Sequence, residues 1–523
     1  MFFNLISILV AAAICFIASI NCLHMLQLES YQTPGYLRWL RERGIRKYPI
    51  LLVSAVLYAA ALIFHMMESD IFAFILLLVS FAAGAWYIVS AKIRDAKKPL
   101  VYTARIKRFL TGEILVLALF VLFALVKGSA AFALLLMIQP LLVVLVHFIM
   151  LPIEKSINNW YMNDAKKILK SRPELIKIGI TGSYGKTSVK YIVGTILKEK
   201  YKVLVPPSSY NTPMGVTRVI REQLLPEHEV FIAEMGARHV GDIKELVDFV
   251  HPKYGIITSV GPQHLETFHS IENVANTKYE LIAGLPEDGA AFFPEDHGLA
   301  KGLYEREIPQ PKTLFGVEEE NCDLSAWDIK AGSFGSEFTV RLKNGESFTA
   351  RTKLLGRHNI MNIMAGAALA EYLGLSAEEI RSGIEKIEPV EHRLQLIPTG
   401  NGVNVIDDAF NSNPAGAAAA LEVLASFEGR KIIVTPGMVE LGAKQDEENA
   451  AFARKIAKVA DFVFLVGIRQ TKPMFEALEA EGFDMTKVRV SPNLTAASNE
   501  MYKILMAGDT VLFENDLPDN YSE

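Results

Sequence analysis

Apolar residues run almost unbroken through five stretches at the front of the chain, near 2–22, 49–66, 70–90, 110–127 and 131–152. Each is roughly 18–24 residues long, enough for one helix to cross a bilayer. From about residue 175 the pattern changes. Short apolar runs at 176–180, 230–233 and 254–260 alternate with runs of helical period, as in a parallel α/β sheet. Past residue 395 the alternation resumes, with strand-like runs at 403–406, 431–435, 462–466 and 510–513. Pro414 follows Asn413 at a plausible first helical turn. The pattern predicts a helical membrane segment over 1–155, a linker over 156–174, a central parallel-sheet α/β domain over 175–394 and a Rossmann-like α/β domain over 395–523.

Charge gives these segments an orientation. Arg38, Arg41, Arg43, Arg46 and Lys47 lie between the first two stretches, and Lys92, Arg94, Lys97, Lys98, Arg105, Lys107 and Arg108 lie between the third and fourth. The other short loops hold little beyond Lys127. Lys and Arg stay cytoplasmic, so the N-terminus is expected outside and everything after the fifth span in the cytoplasm. The first stretch lacks the basic start and cleavage site of a leader. Glu113 and His65 read as lying near the ends of their spans, at the interface, which gives little support to an ion path. The formal net charge is −5, so nucleic acid is not an expected partner. Cys15, Cys22 and Cys322 form neither a disulfide framework nor a metal-binding spacing.

The strand-like run 176–180 leads into Thr181-Gly182-Ser183-Tyr184-Gly185-Lys186-Thr187-Ser188, and a helical run follows. A glycine-rich turn between strand and helix aims backbone N–H groups at an anion. Lys186 adds a charge for the β- and γ-phosphates of ATP, and Thr187 offers a hydroxyl to Mg²⁺. Gly182, Ser183, Gly185 and Ser188 complete the cradle. Two further polar residues fall where such a sheet binds ligands: Glu234, closing the run 230–233, and His264, in the loop after 254–260. Lys278 shares a helical face with apolar Val274, Ala275, Leu281 and Ile282. A lysine so placed either snorkels to solvent or is held inside a polar site.

At these residues the chain resembles the Mur ligase family, ATP-dependent amide ligases of bacterial cell-wall synthesis, and within it the D-alanyl-D-alanine-adding members. The resemblance is carried by the phosphate loop, the 209–216 segment Ser-Tyr-Asn-Thr-Pro-Met-Gly-Val, Ala233-Glu234-Met235-Gly236-Ala237, His264-Leu265-Glu266, residues 275–280, Gly356-Arg357-His358-Asn359-Ile360-Met361-Asn362, and Asp407-Asp408-Ala409-Phe410-Asn411-Ser412-Asn413-Pro414. These stand in the family's order over roughly 175–515. The resemblance implies catalytic roles for Lys186, Glu234, His264 and Lys278. It implies a carbamylated Lys278, with Thr187 and Glu234 on one Mg²⁺ and His264 and Lys278 on a second. It also implies adenine contacts from Asn359 and Asn362, and nucleotide contacts from Arg393 and Asp408 on a closing C-terminal domain.

Two departures from the family pattern bear on the substrate. The front of the chain holds membrane spans where the soluble ligases carry a domain for the UDP-sugar. A late basic, hydroxyl-bearing segment is replaced by Phe513-Glu514-Asn515-Asp516-Leu517-Pro518. Together they imply a multi-pass enzyme of the bacterial cell membrane, acting on a membrane-linked or polymeric carboxylate and an amino acid or short peptide. The alternatives are the standard D-alanyl-D-alanine addition and an ATP-driven transporter. For the transporter, no LSGGQ-type segment or paired Asp-Glu strand end is found. Protein partners are not legible.

Overall fold

The computed structural model describes residues 2–29, 31–42, 48–91, 99–207, 209–332, 335–409, 412–439 and 441–515. The chain divides into two compact units between Asn159 and Trp160. In the first, five helices are long and apolar enough to cross a membrane: Phe2–Leu28, Tyr48–Met66, Asp70–Ser90, Ala104–Lys127 and Gln139–Lys170. Leu23, Tyr58, Phe132 and Val146 pack into their common core, while Phe72, Leu78, Leu119 and Val126 face outward. Polar groups tie the helices together. Ser54 and Ser80 each donate a hydroxyl to the other's backbone carbonyl at 2.8 Å, and Arg108 grips Glu154 with two bonds of 2.7 and 2.8 Å. Of the basic residues that set the orientation, Arg43, Arg46, Lys47, Lys92, Arg94, Lys97 and Lys98 lie outside the described residues.

One expectation changes here. The fifth span is not one helix: Ala131–Met137 ends at Ile138 and a new helix starts at Gln139. Pro140 explains the break, because its missing N–H and fixed φ suit a helix start and not a helix interior. Glu113, on the helix that begins at Ala104, has its side chain fully buried among the packed helices. The stretch 156–174 is helical as far as Lys170.

The second unit holds two sheets. The strands of the first are β1 (Ile176–Thr181), β2 (Val203–Leu204), β3 (Val230–Glu234), β4 (Tyr254–Ile257), β5 (Ala290–Pro294), β6 (Lys312–Val317), β7 (Leu324–Gly332), β8 (Gly335–Arg341) and β9 (Ser347–Thr352). Their order is β2-β3-β1-β4-β5-β6-β7-β8-β9. β1 to β7 pair in parallel, and β7, β8 and β9 continue antiparallel. Buried on both faces, β3 and β5 read as continuous apolar runs. β8 alternates buried and half-buried residues, as an antiparallel strand with one covered face does. The second sheet contains β10 (Gln395–Pro398), β11 (Asn404–Asp408), β12 (Lys431–Thr435), β13 (Phe462–Val466), β14 (Val488–Ser491) and β15 (Thr510–Glu514), in the order β10-β11-β15-β12-β13-β14. All its pairings are parallel except that of β10 with β11.

The helix Lys186–Leu197, which follows the phosphate loop, is clamped by close packing. A Cβ on Gly366 would stand 3.0 Å from Ile192 and Ile196 side-chain atoms, and one on Gly383 would stand 2.7 Å from the Ile196 Cα. Gly383→Ala therefore meets backbone, and the overpacking should cost about 1–3 kcal/mol. Denaturant unfolding of the wild type and the variant measures this; an unchanged midpoint would mean that the helices separate freely.

Candidate active site

β1 delivers the chain to the phosphate loop, and neighbouring segments fix that loop before any ligand arrives. Gly182 has no room for a side chain, since a Cβ there would lie 2.0 Å from Thr258 Oγ1. Gly185 takes the left-handed φ of +80° as the helix N-cap, and a Cβ there would lie 2.8 Å from the Asn362 carboxamide oxygen. The Ser183 N–H donates to the Ser259 carbonyl at 2.9 Å. The Ser183 hydroxyl donates to Gly261 O at 2.9 Å and accepts from Gly261 N at 3.0 Å. These ties bind the loop to the segment after β4, which leads to His264. Thr181 donates its hydroxyl to Met235 O at 2.9 Å, joining the ends of β1 and β3. Ser188 follows in the first helical turn.

Lys186 folds over the loop and donates to Gly182 O and Ser183 O, at 2.6 and 3.2 Å. Burial pulls its ammonium down to about 8; Glu234 opposes the shift and Arg393 adds to it. Glu234 ends β3 with only 1% of its surface exposed. Its carboxylate accepts from the Thr187 hydroxyl at 3.2 Å and from the Asn211 amide at 3.2 Å. It also pairs with the Lys190 ammonium at 3.2 Å. Neither Asn211 nor Lys190 is among the site residues expected from sequence. The available signal for Lys190 was its spacing, one helical turn after Lys186 on the same face.

Thr187 and Glu234 supply hard oxygen donors side by side, which suits Mg²⁺. Among the described residues no three His, Cys, Asp or Glu side chains gather at one point. A metal here would take few protein ligands and complete its shell with phosphate oxygens and water, as Mg²⁺ commonly does. His264 takes a left-handed φ of +51°, an uncommon conformation for a non-glycine residue. Its carbonyl accepts from Thr267 N and Phe268 N at 3.0 Å, opening the short helix Leu265–Phe268.

Lys278 does not snorkel. It lies on the helix Ile271–Ala283, 1% exposed, with Nζ 6.0 Å from the Phe268 ring centre. Burial drives its ammonium well below the ordinary lysine range. Lys186 pushes the same way, and Asp242 and Glu280 oppose. Both acids are committed elsewhere. Asp242 accepts from Arg238 N and His239 N at 2.8 Å, and Glu280 accepts from Gly241 N and Lys244 N at 3.0 and 2.8 Å. Lys278 is thus coupled electrostatically to Lys186 of the phosphate loop.

The remaining expected residues divide. Asn359 donates to Leu355 O at 2.9 Å and accepts from Asn362 at 3.3 Å, which places the pair against the loop beside Gly185. Arg393, two residues before β10, is coupled electrostatically to Glu234 and to Asp408 of β11. Asp408 accepts from Leu394 N at 3.1 Å. Burial raises its carboxyl to about 6, against the pull of Leu394 N–H and Arg393. Glu514 is no exposed acidic patch. It is 1% exposed, accepts from Ser412 and, at 2.6 Å, from Thr435, and burial lifts it to about 7 against those bonds. Phe410, Asn411, Asp516, Leu517 and Pro518 lie outside the described residues.

Lys190→Met should strand the buried Glu234 charge and cost about 3–5 kcal/mol of stability. Lys190→Arg should restore part of it. Thermal unfolding of the three proteins tests this, and a methionine variant as stable as wild type would contradict the pairing.

Comparison with known proteins identifies the scaffold. The Mur ligase middle domain matches residues 180–370, and the Mur ligase, glutamate ligase domain matches 392–514. The chain is 32% identical over 334 residues to UDP-N-acetylmuramoyl-tripeptide–D-alanyl-D-alanine ligase of Escherichia coli, covering 63% of this chain and 73% of that one. It is 33% identical over 268 residues to the enzyme of the same name from Bacillus subtilis, covering 51% of this chain and 56% of that one. Among solved structures, MurF from Acinetobacter baumannii superposes with a TM-score of 0.62 at 25% identity, over 70% of this chain and 78% of that one. Two domain matches in chain order, together with a relative covered over 73% of its length, establish that this chain belongs to the Mur ligase family.

Proposed function

We propose that this protein is a membrane-anchored, ATP-dependent amide ligase of the bacterial cell envelope. The observation that carries the reading is a phosphate loop on which Lys186 folds and whose Thr187 hydroxyl bonds the buried Glu234, with buried Lys278 coupled to Lys186. A substrate carboxylate attacks the γ-phosphorus of ATP, forming an acyl phosphate and releasing ADP. An amine then attacks the acyl carbon, the amide forms, and phosphate leaves with loss of the amine proton. Lys186 and the loop N–H groups stabilise the charge on the transferring phosphoryl group. Mg²⁺, when bound at Thr187 and Glu234, draws charge from the phosphate oxygens. Asn359 and Asn362 hold the adenine, and Arg393 and Asp408 hold the nucleotide from the second sheet, excluding water from the acyl phosphate.

Lys278 takes its role from its burial. An uncharged amine adds to CO₂ and loses a proton, giving a carbamate whose oxygens face the phosphates with His264. A burial-depressed lysine keeps more of its amine uncharged at neutral pH than an exposed one. Lys278→Ala should abolish ADP release, and short carboxylic acids should restore part of it. Normal turnover in the variant would refute the role.

The acceptor is a membrane-linked or polymeric carboxylate, and the amine is an amino acid or short peptide. The apolar helices support this, because the matched domains begin at residue 180 and the front of the chain is membrane-like. The ligase site is cytoplasmic and the N-terminus outside, on the charge pattern of the loops. The second reading, D-alanyl-D-alanine addition to a soluble nucleotide-linked tripeptide, is favoured by the names of the relatives. ADP release with candidate amino acids, in the presence of membrane lipid extract or of UDP-muramoyl-tripeptide, separates the two. Strong turnover on the soluble tripeptide alone would overturn the membrane-linked acceptor.

A further inference from the structure

The membrane unit holds a set of polar atoms that its own packing does not satisfy. Cys15, Ser19 and Cys22 lie at i, i+4 and i+7 on the first helix and share one face. All three are buried. That face looks onto Glu113 of the fourth span and Gln139, the first residue after the break in the fifth. Glu113 and Gln139 are both fully buried. Among the described residues, both carboxyl oxygens of Glu113 and the carboxamide oxygen of Gln139 lack a hydrogen-bond partner.

The hydroxyl and amide donors nearby are already used, which leaves only the weak thiol donors of Cys15 and Cys22. Ser19 donates its only proton to Cys15 O at 3.0 Å, and Gln139 donates from Nε2 to Ser19 Oγ at 2.9 Å. Tyr36 donates to Pro140 O at 2.7 Å, and Tyr48 donates to Met137 O. These two bonds satisfy carbonyls on either side of the helix break. They leave the three acceptor atoms as they were. An unsatisfied buried acceptor destabilises the fold, and a charged carboxylate inside a membrane bundle does so more strongly.

We propose that Glu113, Gln139 and Ser19 form a binding site for a small alkali cation, sodium, within the membrane unit. The donor set is all oxygen: a carboxylate, a carboxamide and a hydroxyl with a lone pair to spare. Hard cations take such sets. A broken helix inside a bundle is also where membrane proteins commonly place ion sites. Counting acceptors separates sodium from the simpler explanation, a neutral Glu113. One proton on Glu113 gives one hydrogen bond, at best to Gln139, and leaves its second oxygen with no donor stronger than a thiol. One cation touches all three atoms and cancels the charge. The site is independent of the ligase chemistry proposed above.

The test uses the full-length protein in detergent micelles at neutral pH, with choline chloride holding ionic strength constant. Radioactive sodium should bind saturably, at about one ion per chain. Binding should fall roughly tenfold or more in Glu113→Gln and weaken in Gln139→Ala. Sodium should also raise the melting temperature of wild type above that in choline, as a ligand specific to the folded state does. A second measurement covers the case in which Glu113→Gln fails to fold. Dicyclohexylcarbodiimide attacks Glu113 in the wild-type protein, and sodium but not choline should slow the modification, read by mass spectrometry. Sodium binding that is no greater in wild type than in a folded Glu113→Gln, or carbodiimide labelling unaffected by sodium, would overturn the site and leave Glu113 as a neutral structural acid.

Discussion

A single buried carboxylate organises the ligase unit. Glu234 sits at the end of a strand buried on both faces, where an ionised group survives only if paired and hydrogen-bonded. Its partners come from two other elements: Thr187 and Lys190 reach it from the helix Lys186–Leu197, and Asn211 from the segment before the next helix. Satisfying Glu234 therefore fixes both segments against β3. The cluster gathers three basic residues against two acidic ones: Lys186, Lys190 and Arg393 are each coupled to Glu234, and Arg393 also to Asp408. Such a site is complementary to a polyphosphate with its metal, and less so to a bare divalent cation.

Much of this was legible because the phosphate-loop chemistry is local. Gly182 and Gly185 announce their roles through the turn they must make, and Lys186 and Thr187 through their position in it. The parallel strands were visible as apolar runs for the same reason that they are buried on both faces. The antiparallel extension β7 to β9 was not, since half-covered strands alternate and resemble amphipathic noise at short length. Lys190 was missed because a lysine in a helix is usually solvated, and only the three-dimensional position of Glu234 makes it internal. Glu280 belongs to a sequence segment that suggests a site, yet its carboxylate caps the turn into the helix Asp242–Val250. Glu514 misled in the opposite direction. An acidic residue among Asn and Asp reads as surface, whereas the parallel register of β11 with β15 sets it beside Asp408 inside the sheet.

In the membrane unit, hydropathy located the spans but not their ends or interruptions. A polar first turn extends the helix Ala104–Lys127 ahead of its apolar run, Phe2–Leu28 runs on past the end of its own, and the burial of Glu113 shows only once the helices are packed. A break at Ile138 is hard to see in an apolar stretch, because Ile, Gln and Pro there interrupt neither length nor hydropathy. The two units thus differ in how they hold buried polar groups. Among the described residues the ligase unit leaves one buried side-chain atom unsatisfied, Gln310 Oε1, while the membrane unit leaves three, on Glu113 and Gln139.

The central claim is that the γ-phosphate of ATP is transferred to a carboxylate before the amide forms. The most direct measurement starts from an acceptor whose carboxylate carries a heavy oxygen isotope. In turnover with ATP and the amine, the released phosphate is analysed by mass spectrometry. The account predicts that one labelled oxygen moves from the carboxylate into each phosphate released. Phosphate free of label, with ADP still formed, would show that ATP is hydrolysed by water and would contradict the account.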